Sequence, residues 1–196
     1  MATNEVLLKN DTGAAVLTFK SSVYSPTAIN DIDPASSTTV DLTLDEGGTG
    51  LADGAAVNSD QVDLGAVRAA SYRVVAALEW FAAVTAGLAV DVYWSASNNS
   101  VVTDGNPGKP DGVDGLYTGD GGGTVAESVE HMQKIGTFRT TDLVGVQIAE
   151  VGLFSPVARY GQLIVFNQSG TLLCGTDDIE SCIVFEPIIV DIQAAA

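Results

Sequence analysis

One histidine, two cysteines and a group of loop aspartates are the residues with which this 196-residue chain could do chemistry. Serine- and cysteine-type nucleophiles usually work through a histidine base. The histidine, His131, lies between Glu130 and Met132 on what reads as the solvent side of a short helix. No local signature brings a nucleophile to it. Cys174 and Cys182 are separated by Gly-Thr-Asp-Asp-Ile-Glu-Ser, which is neither a CxxC redox pair nor a zinc spacing. A zinc site built from them and His131 would need carboxylates to complete it, an unusual set for structural zinc. Apolar runs, Thr171-Leu172-Leu173 and Ile183-Val184-Phe185, flank the two cysteines. That places them near a hairpin, either as two small core residues or as a cross-strand disulfide formed after release from a reducing compartment.

Asp104, Asp111, Asp114 and Asp120 share one loop, and oxygen-rich loops can hold calcium. The EF-hand spacing is absent, and solvated turn carboxylates are the plainer reading. Among 25 acids no pair stands out as the two carboxyl groups of a glycoside hydrolase. Gly108-Lys109 is followed by Pro110 and has no glycine five residues before it, so it is no P-loop. Gly119 and Gly121-Gly122-Gly123 precede a helix but follow a loop, where a dinucleotide-binding turn follows a strand. No catalytic, cofactor-binding or metal-ligating residue is assigned, and the chain reads as non-enzymatic.

Composition narrows the partners. Eight Lys and Arg against 25 Asp and Glu give a net charge of -17. Phosphate backbones are bound mainly by Lys and Arg, so a nucleic-acid partner is excluded, as is an anionic membrane surface. An apolar content of 46% separates the chain from disordered acidic tails, and its length can bury a core without staples. The start, Met-Ala-Thr-Asn-Glu, lacks the basic and apolar regions of a secretory signal. Arg68, Arg73, Glu79 and Asp91 interrupt the most apolar stretch, Ala66 to Trp94, which rules that stretch out as a membrane span. A chain made and kept in a cytoplasm is expected.

The elements that must position these residues read as strands. No fixed-period repeat appears, and glycine clusters separate short runs rich in Val, Ile, Leu, Thr and aromatics, the pattern of a mainly β chain. Val40, Leu42 and Leu44 alternate with Asp41, Thr43 and Asp45 as a half-buried strand. Tyr72, Val74, Ala76, Leu78 and Trp80 line one face at period two, and Thr85-Ala86-Gly87 can turn the chain into a second strand, Leu88 to Trp94. Together they predict a long β-hairpin. Leu163 to Phe166 predicts a strand buried on both faces. Pro187 demotes the run Ile183 to Ile192 to an edge or a bulge. Thr124 and Glu127 form a capping-box pattern that predicts one helix from about Val125 to Lys134, ended by Gly136. Asn98 to Gly123 is a long loop, and Ser21 to Thr39 has similar turn chemistry. The organisation expected is an N-terminal arm with a first strand and linker over residues 1–40, then a β-sandwich over 41–196. On that division, deleting residues 1–20 would leave a foldable core.

Three stretches carry a resemblance. They are Val151-Gly152-Leu153-Phe154-Ser155-Pro156 through Asn167-Gln168-Ser169-Gly170, Ala70-Ser71-Tyr72-Arg73 through Asp91-Val92-Tyr93-Trp94-Ser95, and Phe185-Glu186-Pro187-Ile188-Ile189. Their text resembles small structural proteins of tailed bacteriophages, most of all capsid decoration, or cement, proteins. The resemblance implies an antiparallel β-sandwich of jelly-roll type and copies associating as a homotrimer. It implies a place on the outer capsid surface of a virion assembled in the host cytoplasm, with the major capsid protein as partner. Arms and long loops would reach neighbouring subunits. It carries no catalytic residues. Arg159-Tyr160, Trp80 and Trp94 are of the types that anchor interfaces, with core packing the plainer reading of both tryptophans. Two other readings stand beside it: a tail, baseplate or fibre component binding a host surface glycan, and a β-sandwich hydrolase with carboxyl groups roughly 5 to 9 Å apart.

Overall fold

The computed structural model describes residues 14–45, 48–65, 68–101, 106–175 and 178–188. Its elements in chain order are β1 (Leu17–Lys20), β2 (Thr38–Asp41), β3 (Ala56–Asn58), β4 (Val62–Asp63), β5 (Tyr72–Trp80) and β6 (Ala89–Ser97). Then come β7 (Gly115–Tyr117), α1 (Val125–Val129), β8 (Gln133–Arg139), β9 (Gly145–Phe154), β10 (Tyr160–Gln168) and β11 (Cys182–Pro187). They form two sheets, ordered β2-β1-β11-β5-β9 and β7-β3-β10-β6-β8, with β4 beside β10. Every pairing is antiparallel except β1 with β2.

The winding is legible in the order of pairs. Nested from the inside out, β6 pairs with β8, β5 with β9, β3 with β10 and β1 with β11. One long hairpin of four nested pairs has rolled up so that β11 also meets β5 and β10 also meets β6. Eight strands so arranged are a jelly roll, two Greek keys in two sheets. β2 and β7 are additions at the outer edges.

Period two then sorts the side chains. Val74, Ala76, Leu78 and Trp80 of β5, Ile183 and Phe185 of β11, and Val90, Val92 and Trp94 of β6 fill the space between the sheets. Trp94, Phe154 and Phe185 pack with ring centroids 5.0 to 5.9 Å apart, each pair adding about 0.5–1.5 kcal/mol beyond its burial. Trp80 and Trp94 are both fully buried, so they are core residues and not interface anchors. At one edge of the sandwich, Gly136 of β8 and Gly152 of β9 let the two backbones touch. A Cβ on Gly152 would sit 2.7 Å from the carbonyl oxygen of Ile135, so neither position has room for a side chain.

Several expectations change. The strands expected over 72–80 and 88–94 exist but do not form a hairpin: β5 lies in one sheet and β6 in the other. Their alternating faces record burial against the opposite sheet, and periodicity alone does not say which strand is the hydrogen-bonding neighbour. The helix starts at its capping box, with Thr124 and Glu127 each bonded to the other's backbone, but ends at Val129. The chain then enters β8, because Ile135 and Phe138 are buried when β8 pairs with β6. Gly136 thus lies within a strand and does not end the helix. β11 is a central strand, flanked by β1 and β5. Pro187 is its last residue, where a missing N–H is tolerated; residues 189–192 lie outside the described residues. The division at residue 40 falls inside β2. Leu17 and Phe19 of β1 are buried, the latter completely, so residues 17–20 are a core strand.

The 21–37 loop and the segment from β7 to the start of β8 fold onto the outer faces of the two sheets. Tyr24 and Ile32 of the 21–37 loop cover Ala77, Cys182 and Val184 on the outer face of the first sheet. Tyr117, Val129 and Met132 cover Ala56, Ile164 and Phe166 on the second. That is why β10 is buried on both faces, as its sequence predicts.

Candidate functional site

Opposite the glycine-closed edge, the sandwich has a mouth. There β2 ends the first sheet, and the segment Asp60-Gln61 with β4 lies across from it. The cleft between them has a volume of about 250 Å³ and is lined by Leu17, Thr38 to Asp41 and Asp60 to Asp63. Its floor is apolar, from Leu17 and Val62, which are both buried. Its rim is acidic.

The residues of the mouth are placed by backbone and carboxylate bonds. The Thr38 N–H donates to Val16 O at 2.7 Å and the Leu42 N–H to Lys20 O at 3.2 Å. In a parallel ladder alternate residues face one neighbour, so Thr38, Val40 and Leu42 point to β1 while Thr39 and Asp41 point outward. The Asp60 N–H takes up the outward Asp41 carbonyl at 3.0 Å. Asp60 Oδ1 accepts the Asp114 N–H at 2.8 Å. Asp114 in turn accepts the Thr43 N–H at 2.7 Å and the Thr43 hydroxyl at 2.6 Å. Burial raises the Asp114 pKa above its ordinary value, and the nearby charges of Asp60 and Asp41 add to that, against the two Thr43 bonds.

Asp63 is different. Arg159 Nε and Nη2 grip its two oxygens at 2.6 Å each, and this pairing holds the Asp63 carboxyl below its usual range. The Arg159 guanidinium also lies 5.0 Å over the Tyr160 ring, so this expected anchor is committed to its own chain. Among the described residues neither Asp41 nor Asp60 forms an ion pair.

The remaining candidates are dispersed. His131 is exposed just beyond α1. Cys174 and Cys182 are free and buried. Cys174 belongs to the inner core and Cys182 to the outer-face cluster, so β11 separates them. Burial raises both thiols, that of Cys182 to about 12. Asp104 lies outside the described residues. Asp111 accepts Asn58 Nδ2 and the Val113 N–H, both at 3.2 Å. Asp120 accepts the N–H groups of Gly122 and Gly123 at 3.1 and 2.9 Å. These acids hold loop backbone. Among the described residues no group of three or more His, Cys, Asp or Glu could hold a metal ion, and no helix is long and apolar enough to cross a membrane.

Sequence reasoning passed over Asp41, Asp60 and Thr39. Asp41 was visible as the polar face of an alternating run, but nothing local marked that run as the last strand of a sheet.

The fold defines the chain as a mainly β protein, a jelly-roll β-sandwich. No protein-family profile, no curated protein and no solved structure matches it.

Proposed function

We propose that this chain is a non-enzymatic structural protein of a phage particle that decorates and stabilises the outer capsid shell through multivalent contacts. The observation that carries the reading is the jelly-roll winding, an architecture used by viral capsid and lectin domains. A fold alone does not name a function, so the phage-like phrases in β5, β6, β9 and β10 are the second support. A sandwich whose 21–37 loop and β7–α1 segment pack on its own faces suits a clamp that acts by position, with avidity over several copies supplying affinity. The glycan-binding alternative has less support, since the cleft lining contains no aromatic side chain on which a sugar ring would stack.

Two measurements test the reading. Light scattering on the purified chain is expected to give three times 20.1 kDa, the mass of a homotrimer. Immunogold labelling of particles from the source organism, with antibody to this chain, is expected to mark shells. Labelling confined to tails or fibres, or to no particle at all, overturns the proposal.

A further inference from the structure

We propose that the mouth beside β2 receives an extended, lysine- or arginine-bearing segment of a partner protein. The segment adds to the free edge of the first sheet and sets its cations against Asp41 and Asp60. The first argument is backbone chemistry. Among the described residues β2 pairs only with β1; the parallel ladder turns the N–H and C=O of Thr39 outward toward the cleft, while Asp60 occupies the outward Asp41 carbonyl. An exposed strand edge is a template for strand addition, in which main-chain bonds give affinity and alternate side chains give selectivity.

Charge selects the occupant. The charges of Asp60 and Asp41 act against that of Asp114, and among the described residues none of the three has a cationic partner. A second copy of this chain, also at -17, would bring more of the same sign. A basic segment relieves the repulsion, and its apolar residues can rest on Leu17 and Val62. The opposite edge offers no such place, because β8 and β9 touch there through Gly136 and Gly152. The inference deepens the decoration reading and rests on it only for where the partner is found.

The test uses the full chain and two synthetic heptapeptides, one alternating lysine with valine and one alternating glutamate with valine. Calorimetric titration at low salt is expected to detect the lysine peptide only. Added salt should weaken the binding as surface charges are screened. Binding should slow hydrogen exchange at the Thr39 amide. The double variant Asp41→Asn with Asp60→Asn keeps the Asp60 acceptor for Asp114 and should weaken binding roughly five- to tenfold, the loss of two surface ion pairs. Thr39→Pro removes an outward donor without touching the β1 ladder and should weaken binding of the lysine peptide in the calorimetric titration, at an unchanged unfolding midpoint. Equal binding of both peptides, indifference to both variants, or no change at Thr39 overturns the inference. Shell labelling without peptide binding would sink this edge and leave the decoration reading standing. Peptide binding without shell labelling would do the reverse.

Discussion

Replacing Phe19 by alanine decides whether the first described strand is an arm or part of the core. Phe19 is fully buried, its ring lies 4.9 Å from that of Phe185, and its strand joins β2 to β11. Truncating a buried Phe to Ala costs about 3–5 kcal/mol, from lost transfer energy and the cavity left behind. A domain's whole stability is only about 5–15 kcal/mol, so the effect is large. With a urea m-value of about 2–3 kcal/mol per M for a chain of this size, the midpoint should fall by about 1–2.5 M. Thr39→Ala, on the exposed outer side of β2, serves as control and should stay within about 0.5 kcal/mol of the wild type. Equilibrium urea unfolding followed by tryptophan fluorescence reads both, since Trp80 and Trp94 are buried in the same core. A fall below about 0.3 M for Phe19→Ala, well short of the cavity cost, would refute the seating of β1 in the sheet. By the same logic, deleting residues 1–20 should prevent folding, because it strips β11 of one neighbour and β2 of the one it has among the described residues.

Two further outcomes follow from the titratable groups. The Asp114 carboxyl has a folded pKa above its unfolded value, so the native state binds the extra proton and this group's contribution weakens as pH rises through that window. Asp114→Asn should therefore gain stability relative to wild type between the ordinary carboxylate range and pH 7, as read from urea midpoints at several pH values. A difference independent of pH would refute the raised pKa. Both thiols should resist a thiol-reactive dye in the native protein and react fully in urea, because the thiolate is the nucleophile and burial suppresses it. Intact mass should show no disulfide; a mass two hydrogens lighter would overturn the separation of Cys174 and Cys182 across β11.

The strands of this fold are local facts, whereas their partners are not. The run Tyr72 to Trp80 announces itself because one face must be apolar whichever strand lies beside it. The same five inward side chains would appear in a hairpin with β6 or, as here, in a sheet facing β6, so the sequence carries the period and not the neighbour. Capping is equally local, which is why Thr124 and Glu127 mark where α1 starts. The end of α1 depends on β6: Ile135 and Phe138 gain more by pairing there than by extending a five-residue helix. Pro187 misled for a related reason. It is excluded from a strand interior, yet at a strand's last position it costs nothing and says little about whether that strand is central. The mouth was hidden because it is assembled from residues 17, 38–41 and 60–63, which only the winding brings together.

The two ends of the sandwich solve the edge problem in opposite ways. Exposed edges invite unwanted pairing between copies, and short edge strands, bulges and charge are the usual protections. At the β8–β9 end the protection is steric: the sheets meet backbone to backbone at Gly136 and Gly152, and nothing can enter. At the β2 end the edge is four residues long and partly closed by Asp60, and the rest is guarded by carboxylates. Steric closure excludes every comer alike, whereas charge discriminates. Copies of a chain at -17 are repelled from this edge, so any self-association has to use another face. A basic strand meets attraction where a copy meets repulsion. On this proposal the same few aspartates suppress self-pairing at the β2 edge and admit a basic partner there.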